Sequence, residues 1–180
     1  GTYYIFVATD TNGQQAEADE GNNAMSTPIT IDMTAGRFGV GNGQRYGAAD
    51  IVDSQGVPVR FILTGGGWGE LYGSGDQTQV LLHETTARSV LRIITRGRGS
   101  MTTVGDIEVS GPINAIIAPT TNVATSGDID GAANRIVLRD LNTALINVDG
   151  VGRGTSLTLN NVNDSQISIP NAIPLLRGLS

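Results

Sequence analysis

Ile136-Val137-Leu138-Arg139-Asp140-Leu141-Asn142-Thr143-Ala144-Leu145-Ile146-Asn147-Val148 is followed by a second version of itself. That version is Leu157-Thr158-Leu159-Asn160-Asn161-Val162-Asn163-Asp164-Ser165-Gln166-Ile167-Ser168-Ile169. Ile136, Leu138, Leu141, Ile146 and Val148 match Leu157, Leu159, Val162, Ile167 and Ile169, every pair at the same interval. Working backward, Ile116 and Ala118 precede Ile136 and Leu138 by nearly that interval, and Gly105-Asp106-Ile107 recurs as Gly127-Asp128-Ile129. A unit this short cannot bury its apolar stripe alone, so neighbouring units must stack and share a core. Short β-branched runs separated by turn residues predict strands. The reading is therefore an all-β fold, a short-coil parallel β-solenoid, over residues 57–180. Asn142, Asn147, Asn160, Asn161 and Asn163 fall near the turns, where Asn tolerates left-handed backbone and can form side-chain ladders. A leucine-rich repeat has a similar period, but no helical convex segment is evident between these strands.

Composition supports this reading and removes several chemistries. The chain has 180 residues, of which 25 are Gly and only 4% are aromatic, a mix that suits short strands and tight turns. Cys is absent, so there is no disulfide and no thiolate site. All 11 basic residues are Arg, which excludes a P-loop lysine and a Schiff-base lysine. A net charge of -6 argues against nucleic acid as a partner. No apolar run approaches the roughly 20 residues that span a bilayer as a helix.

Upstream of the solenoid, residues 34–56 carry Gly36, Gly39, Gly41, Gly43 and Gly47 and read as a Gly-rich linker and solenoid cap, with Phe38 and Tyr46 covering the first coil. Residues 1–33 read as a separate unit. Tyr3 to Thr9 alternate like a strand, Asp10-Thr11-Asn12-Gly13 supplies a turn, and Gln14 to Ala18 returns. Asp19-Glu20-Gly21-Asn22-Asn23 breaks the chain, and Ser26 to Met33 forms another strand. So few strands do not make a stable sandwich. The opening on Gly1-Thr2-Tyr3-Tyr4 reads as mid-strand, so the segment is expected to be cut from a longer polypeptide.

Tyr3-Tyr4-Ile5-Phe6-Val7-Ala8-Thr9-Asp10 and Ala16-Glu17-Ala18-Asp19-Glu20-Gly21-Asn22-Asn23, with a closing strand, resemble the end of a CARDB domain. CARDB is an Ig-like bacterial module related to cell-adhesion domains. The resemblance is confined to the first unit and implies the last strands of an Ig-like β-sandwich, with the earlier strands missing. It also implies a large secreted or cell-surface protein. Gly105-Asp106-Ile107-Glu108-Val109-Ser110-Gly111-Pro112-Ile113 and Ala118-Pro119-Thr120-Thr121-Asn122-Val123 are similar to the β-solenoid repeats of bacterial surface proteins. The implied partners are neighbouring domains of the same polypeptide and further copies joined by strand addition.

Candidate chemistry is sparse. His83 is the single histidine, beside Glu84, and would need Ser89 or Ser100 as a nucleophile, yet no nucleophile elbow surrounds either. Asp10, Asn12, Asp19 and Glu20, with Glu17, could present hard oxygen ligands to calcium, against the plainer expectation of a solvated hairpin. Asp106 and Glu108, like Asp128 and Asp130, each project from one face of a strand, and the expected partners are Arg92, Arg96 and Arg135 rather than a cation. Arg139 beside Asp140, with Asp128 and Asp130 one coil earlier, is the one arrangement a polysaccharide-active parallel β-helix enzyme could use. Trp68 and Tyr72 lie in an aromatic loop and are the candidate sugar-stacking residues, as in a carbohydrate-binding module. The plainer alternative places Trp68 over one end of the core. Thr95-Arg96-Gly97-Arg98-Gly99 reads as a turn. The leading expectation is a non-catalytic structural or adhesive module, secreted or held at the cell surface.

Overall fold

A computed structural model describes residues 2–8, 24–30, 34–41, 43–150, 154–169 and 177–178. Every regular element among them is a strand, apart from one 3-10 turn at Gly75–Gln77. The chain divides into two units, Gly1–Met33 and Thr34–Ser180. In the first, β1 (Thr2–Ala8) and β2 (Ala24–Thr30) pair antiparallel, from Thr2 opposite Thr30 to Ala8 opposite Ala24. The expected turn, return strand and acidic break between them lie outside the described residues.

The second unit begins with strands where the sequence predicts a linker. β3 (Thr34–Gly41) and β4 (Gln44–Val52) are an antiparallel pair. β4 belongs to two sheets: Gln44 to Gly47 pairs with β3, and Ala48 to Val52 pairs with β5 (Pro58–Thr64). Gly47, at the crossing, has φ +78°, a conformation that glycine adopts without the penalty a Cβ would bring. Downstream the chain passes repeatedly between the two sheets. The first sheet contains β3, β6 (Gly67–Tyr72), β7 (Gln79–His83), β9 (Thr102–Val109) and β11 (Thr121–Ile129). It continues through β13 (Asp140–Asn142) with β14 (Leu145–Val148), then β16 (Asn161–Asn163) with β17 (Gln166–Ser168). The second sheet contains β5, β8 (Val90–Thr95), β10 (Ile113–Ala118), β12 (Ala133–Leu138), β15 (Ser156–Leu159) and β18 (Arg177–Gly178).

Pairing changes character along the chain. β3 to β8 pair antiparallel, whereas β7, β9, β11, β13 with β14, and β16 with β17 run parallel, as do β8, β10, β12, β15 and β18. This is the expected β-solenoid: each coil has one strand path on each sheet and stacks on the coil before. Ile116 aligns with Ile136, and Ile136 with Leu157; Leu141 aligns with Val162, and Ile146 with Ile167. These columns are the core. Leu91, Ile116, Ile136 and Leu157 form one, and Val80, Ile107, Gly127 and Ile146 another. Burying each such Ile or Leu is worth about 1.5–3 kcal/mol.

One expected repeat does not align. Ser126 stands opposite Asp106 and Gly127 opposite Ile107, because the register shifts between Val123 and Ser126. The likeness of Gly105-Asp106-Ile107 to Gly127-Asp128-Ile129 is therefore not the structural register. Gly127 instead leaves room in the core that Ile146 Cδ1 occupies, 2.6 Å from where a Cβ would stand. At the other limit of the stack, Val162 is 44% and Ile167 37% exposed, although their column mates Leu141 and Ile146 are buried.

Candidate functional site

Alternation along β6 points Leu71 into the core and Trp68, Glu70 and Tyr72 outward. Cross-strand register sets their neighbours: Arg37 opposite Glu70, and His83 opposite Trp68. Glu70 is only 6% exposed although it lies on the outer face. Arg37 Nε donates to Glu70 Oε1 at 2.7 Å, the Tyr72 hydroxyl donates to Oε2 at 2.6 Å, and His83 Nε2 lies 3.8 Å from Oε2. Such pairing is what a buried carboxylate requires. The Trp68 and His83 rings stack at 4.4 Å, Tyr46 lies 6.0 Å from Trp68, and the Arg37 guanidinium stands 5.6 Å over the indole. The indole also lies against Gly41, where any Cβ would collide with it.

Trp68 therefore does not cover the end of the core. It is clamped on the outer face of the first sheet, while Phe38 and Phe61 fill the core beneath, 5.9 Å apart. Trp68 and Tyr72 share a face as expected, but the Tyr72 hydroxyl is committed to Glu70. Trp68 Nε1 and His83 Nε2 are buried without a hydrogen-bond partner among the described residues. Arg37 and Tyr46 escape a reading of the sequence, because only the antiparallel register brings them to Trp68, whereas Glu70 shares the face of Trp68 and Tyr72 by alternation along β6.

His83 does not meet a serine nucleophile among the described residues. Ser89 Oγ donates to the Gly66 carbonyl at 2.8 Å and accepts from the Thr86 N–H at 2.8 Å, which ties loop to loop. The Ser100 carbonyl accepts from the Thr95 hydroxyl at 2.9 Å, at the second sheet.

Further along the first sheet the outer face turns acidic. Asp106 and Glu108 on β9 stand opposite Ser126 and Asp128 on β11. Asp128, Asp130 and Asp149 each bring an oxygen within 4.8 Å of the others, all on exposed side chains. Asn147 Nδ2 donates to Asp128 Oδ1 at 3.2 Å and to Asp149 Oδ1 at 2.8 Å. Exposed acidic groups commonly cluster in this way without an ion. Asp149 follows Val148, which stands opposite Ile129, and so lies beside Asp130 just past the ends of β14 and β11. The sequence-derived calcium candidates Asp10, Asn12, Asp19 and Glu20 lie outside the described residues.

The expected ion pairs to these carboxylates do not form. Arg92 and Arg135 lie on β8 and β12 of the second sheet, on the other side of the core. Arg96 reaches Asp50 instead, at 3.7 Å. Asp50 is held more closely by Arg60, through Nε at 2.8 Å and Nη2 at 2.7 Å. That hydrogen bond lowers the Asp50 carboxyl below its ordinary value of 3.8, and the same contact raises the Arg60 guanidinium.

Arg139 and Asp140 do not converge with Asp128 and Asp130. Leu141 pairs with Val123, so Asp140 sits beside the start of β11, whereas Asp128 and Asp130 lie at and just past its end. At about 3.3 Å per residue that separates them by roughly 20 Å. Asp140 accepts from the Asn161 backbone N–H at 3.2 Å and from its amide at 2.9 Å, and Arg139 Nε lies 3.5 Å away.

The architecture defines an all-β protein in which an antiparallel entry of strands leads into a two-sheet parallel β-solenoid. Comparison with family models, with curated proteins and with solved structures finds no match to this chain.

Proposed function

We propose that this chain is a non-catalytic structural or adhesive module of a large bacterial protein, secreted or held at the cell surface. The support is how the repeats use their outward positions. Asn163 donates to Asn142 at 2.9 Å, Asn134 to Asn114 at 3.1 Å and Ser126 to Asp106 at 2.8 Å. These bonds tie coil to coil. Residues 1–33 are read as closing strands of a CARDB-type sandwich, completed by neighbouring domains or by strand addition.

The test assays polysaccharide turnover and cell attachment side by side, for the wild type and for His83→Ala and Arg139→Gln. We expect no turnover and unchanged attachment in all three. Turnover by the wild type that either substitution abolishes would overturn the reading in favour of a polysaccharide-active enzyme.

A carbohydrate-binding module is the second reading, favoured by the exposed Arg37 guanidinium over the half-buried Trp68 ring, with Tyr72 on the same face. Hydrogen-bond donors next to aromatic faces suit a sugar. Trp68 is the chain's single tryptophan, so its fluorescence reports this site alone. A spectral shift with a polysaccharide, lost in Arg37→Gln, would support the reading. A spectrum indifferent to a broad panel of polysaccharides would sink it.

A further inference from the structure

In the parallel region, Arg92 and Arg135 lie on one side of the core and Asp106, Glu108, Asp128 and Asp130 on the other. On the outer face of the second sheet, Ile62, Arg92, Ile117 and Val137 stand in one row across β5, β8, β10 and β12. Val90, Ala115 and Arg135 form the adjacent row. The arginines are exposed, and Ile94 beside them is 43% exposed. Between this face and the loop carrying Gly97 and Gly99 lies a groove of about 310 Å³ floored by Ile94 and Ile117. Among the described residues neither Arg92 nor Arg135 forms an ion pair. The acidic face of the first sheet mirrors this arrangement: carboxylates at Asp106, Glu108, Asp128 and Asp130, with Leu145 exposed among them and no arginine paired to them among the described residues.

We propose that the arginine face of one copy docks on the acidic face of a second copy. Three observations carry this. The charges are complementary, and guanidinium groups suit carboxylates through two parallel hydrogen bonds. Both faces are built on strands about 4.8 Å apart, so strands of one copy can lie over strands of the next, with Arg92 and Arg135 two strands apart on one face and Glu108 and Asp128 on neighbouring strands of the other. The arginine stems and isoleucines supply apolar area around the pairs. The two faces are different surfaces, so the contact is heterologous and leaves a free face at each end, which allows a third copy to add. Five strands by six residues give each face roughly 480 Å². That is below the roughly 800 Å² per partner of a standard interface, so one contact is weak and becomes effective where copies are crowded. The inference goes beyond the structural-module reading, which requires no contact between faces.

The test is sedimentation velocity of the 180-residue chain across a wide concentration range, at low and high salt. Wild type should associate at low salt and dissociate at high salt, as screening of charge pairs requires. Arg92→Glu with Arg135→Glu should weaken association by more than about tenfold, and so should Glu108→Arg with Asp128→Arg. An equimolar mixture of these two double variants should associate again, because the reversed faces complement each other. Circular dichroism confirms that each variant is folded, and Arg92→Gln with Arg135→Gln serves if a reversal unfolds the chain. Association that persists in the double variants, a mixture that stays monomeric, or a wild type that stays monomeric at low salt would each overturn the proposal. None of these results bears on whether the chain turns over polysaccharide, which the preceding experiment reads separately.

Discussion

Residues 34–95 and residues 102–169 build the same two sheets by different means. The first region pairs its strands antiparallel and fills its core with Phe38 and Phe61, and its outer face is a set of individual contacts around Glu70. The second pairs parallel and fills its core with aligned Ile, Leu and Val, tied outside by Asn and Ser bonds between coils. The antiparallel region depends on single irreplaceable residues, whereas the parallel region distributes its stability over equivalent ones. Substitutions in the two regions should therefore differ in size.

The largest effect is expected in the antiparallel region. Phe61→Ala should cost about 3–5 kcal/mol in denaturant unfolding, the range for a buried aromatic. Leu138→Ala in the parallel region should cost about 2–5 kcal/mol, while Val162→Ala, in a column's exposed last position, should cost well below about 1 kcal/mol. Equal losses at Leu138 and Val162 would show that another element covers the last coil.

Glycines sharpen the contrast. Gly39 has φ +90°, and a Cβ there would stand 2.7 Å from the Gly67 carbonyl oxygen, so Gly39→Ala should cost about 1–3 kcal/mol by thermal unfolding. Thr143 and Asp164 occupy the same corner of successive coils, at φ +55° and +46°. A β-branched residue is strained there, so Thr143→Asn should raise stability by about 0.5–1 kcal/mol. A loss would show that the bond from the Thr143 hydroxyl to the Asn142 carbonyl outweighs the strain.

The smallest effect concerns pH. Asp50 is lowered in the folded chain by its hydrogen bond from Arg60, so its contribution is complete above the unfolded value near 3.8. It is lost as pH falls through the lower folded value. Both side chains are exposed and salt screens them, so the contribution is slight. Acid titration of wild type and Asp50→Asn should give stability curves that differ slightly above about pH 4 and converge as pH falls through the lower folded value. Curves that remain separated in strong acid would assign the difference to something other than the carboxylate charge.

The parallel region is legible because its core positions repeat. Ile116, Ile136 and Leu157 announce their column through spacing alone. The antiparallel entry has no period, so residues 34–56 read as a linker when their glycines in fact serve crossings and close approaches such as Gly47 and Gly39. Trp68 and Tyr72 can be placed together on one face from their alternation. Arg37 and Tyr46 cannot, since which strands pair antiparallel is set by tertiary contacts. The ion pairs fail for the same reason: carboxylates and arginines close in sequence are separated by the alternation of strands between sheets. Asp149 follows Asp128 at the interval that separates Ile136 from Leu157, so spacing does place it on the acidic face, although β14 meets β11 at a shorter step.

The nearly constant step between parallel coils has a consequence for how the chain reaches this structure. Each new coil closes a loop of similar length onto the coil before it, at a similar entropic cost. That cost does not rise as the stack grows, because a coil needs only its predecessor as a template. The antiparallel entry, which emerges before the coils during synthesis, offers β7 and β8 as the first templates. Each later coil can then form as soon as its own residues leave the ribosome, without waiting for the C-terminus.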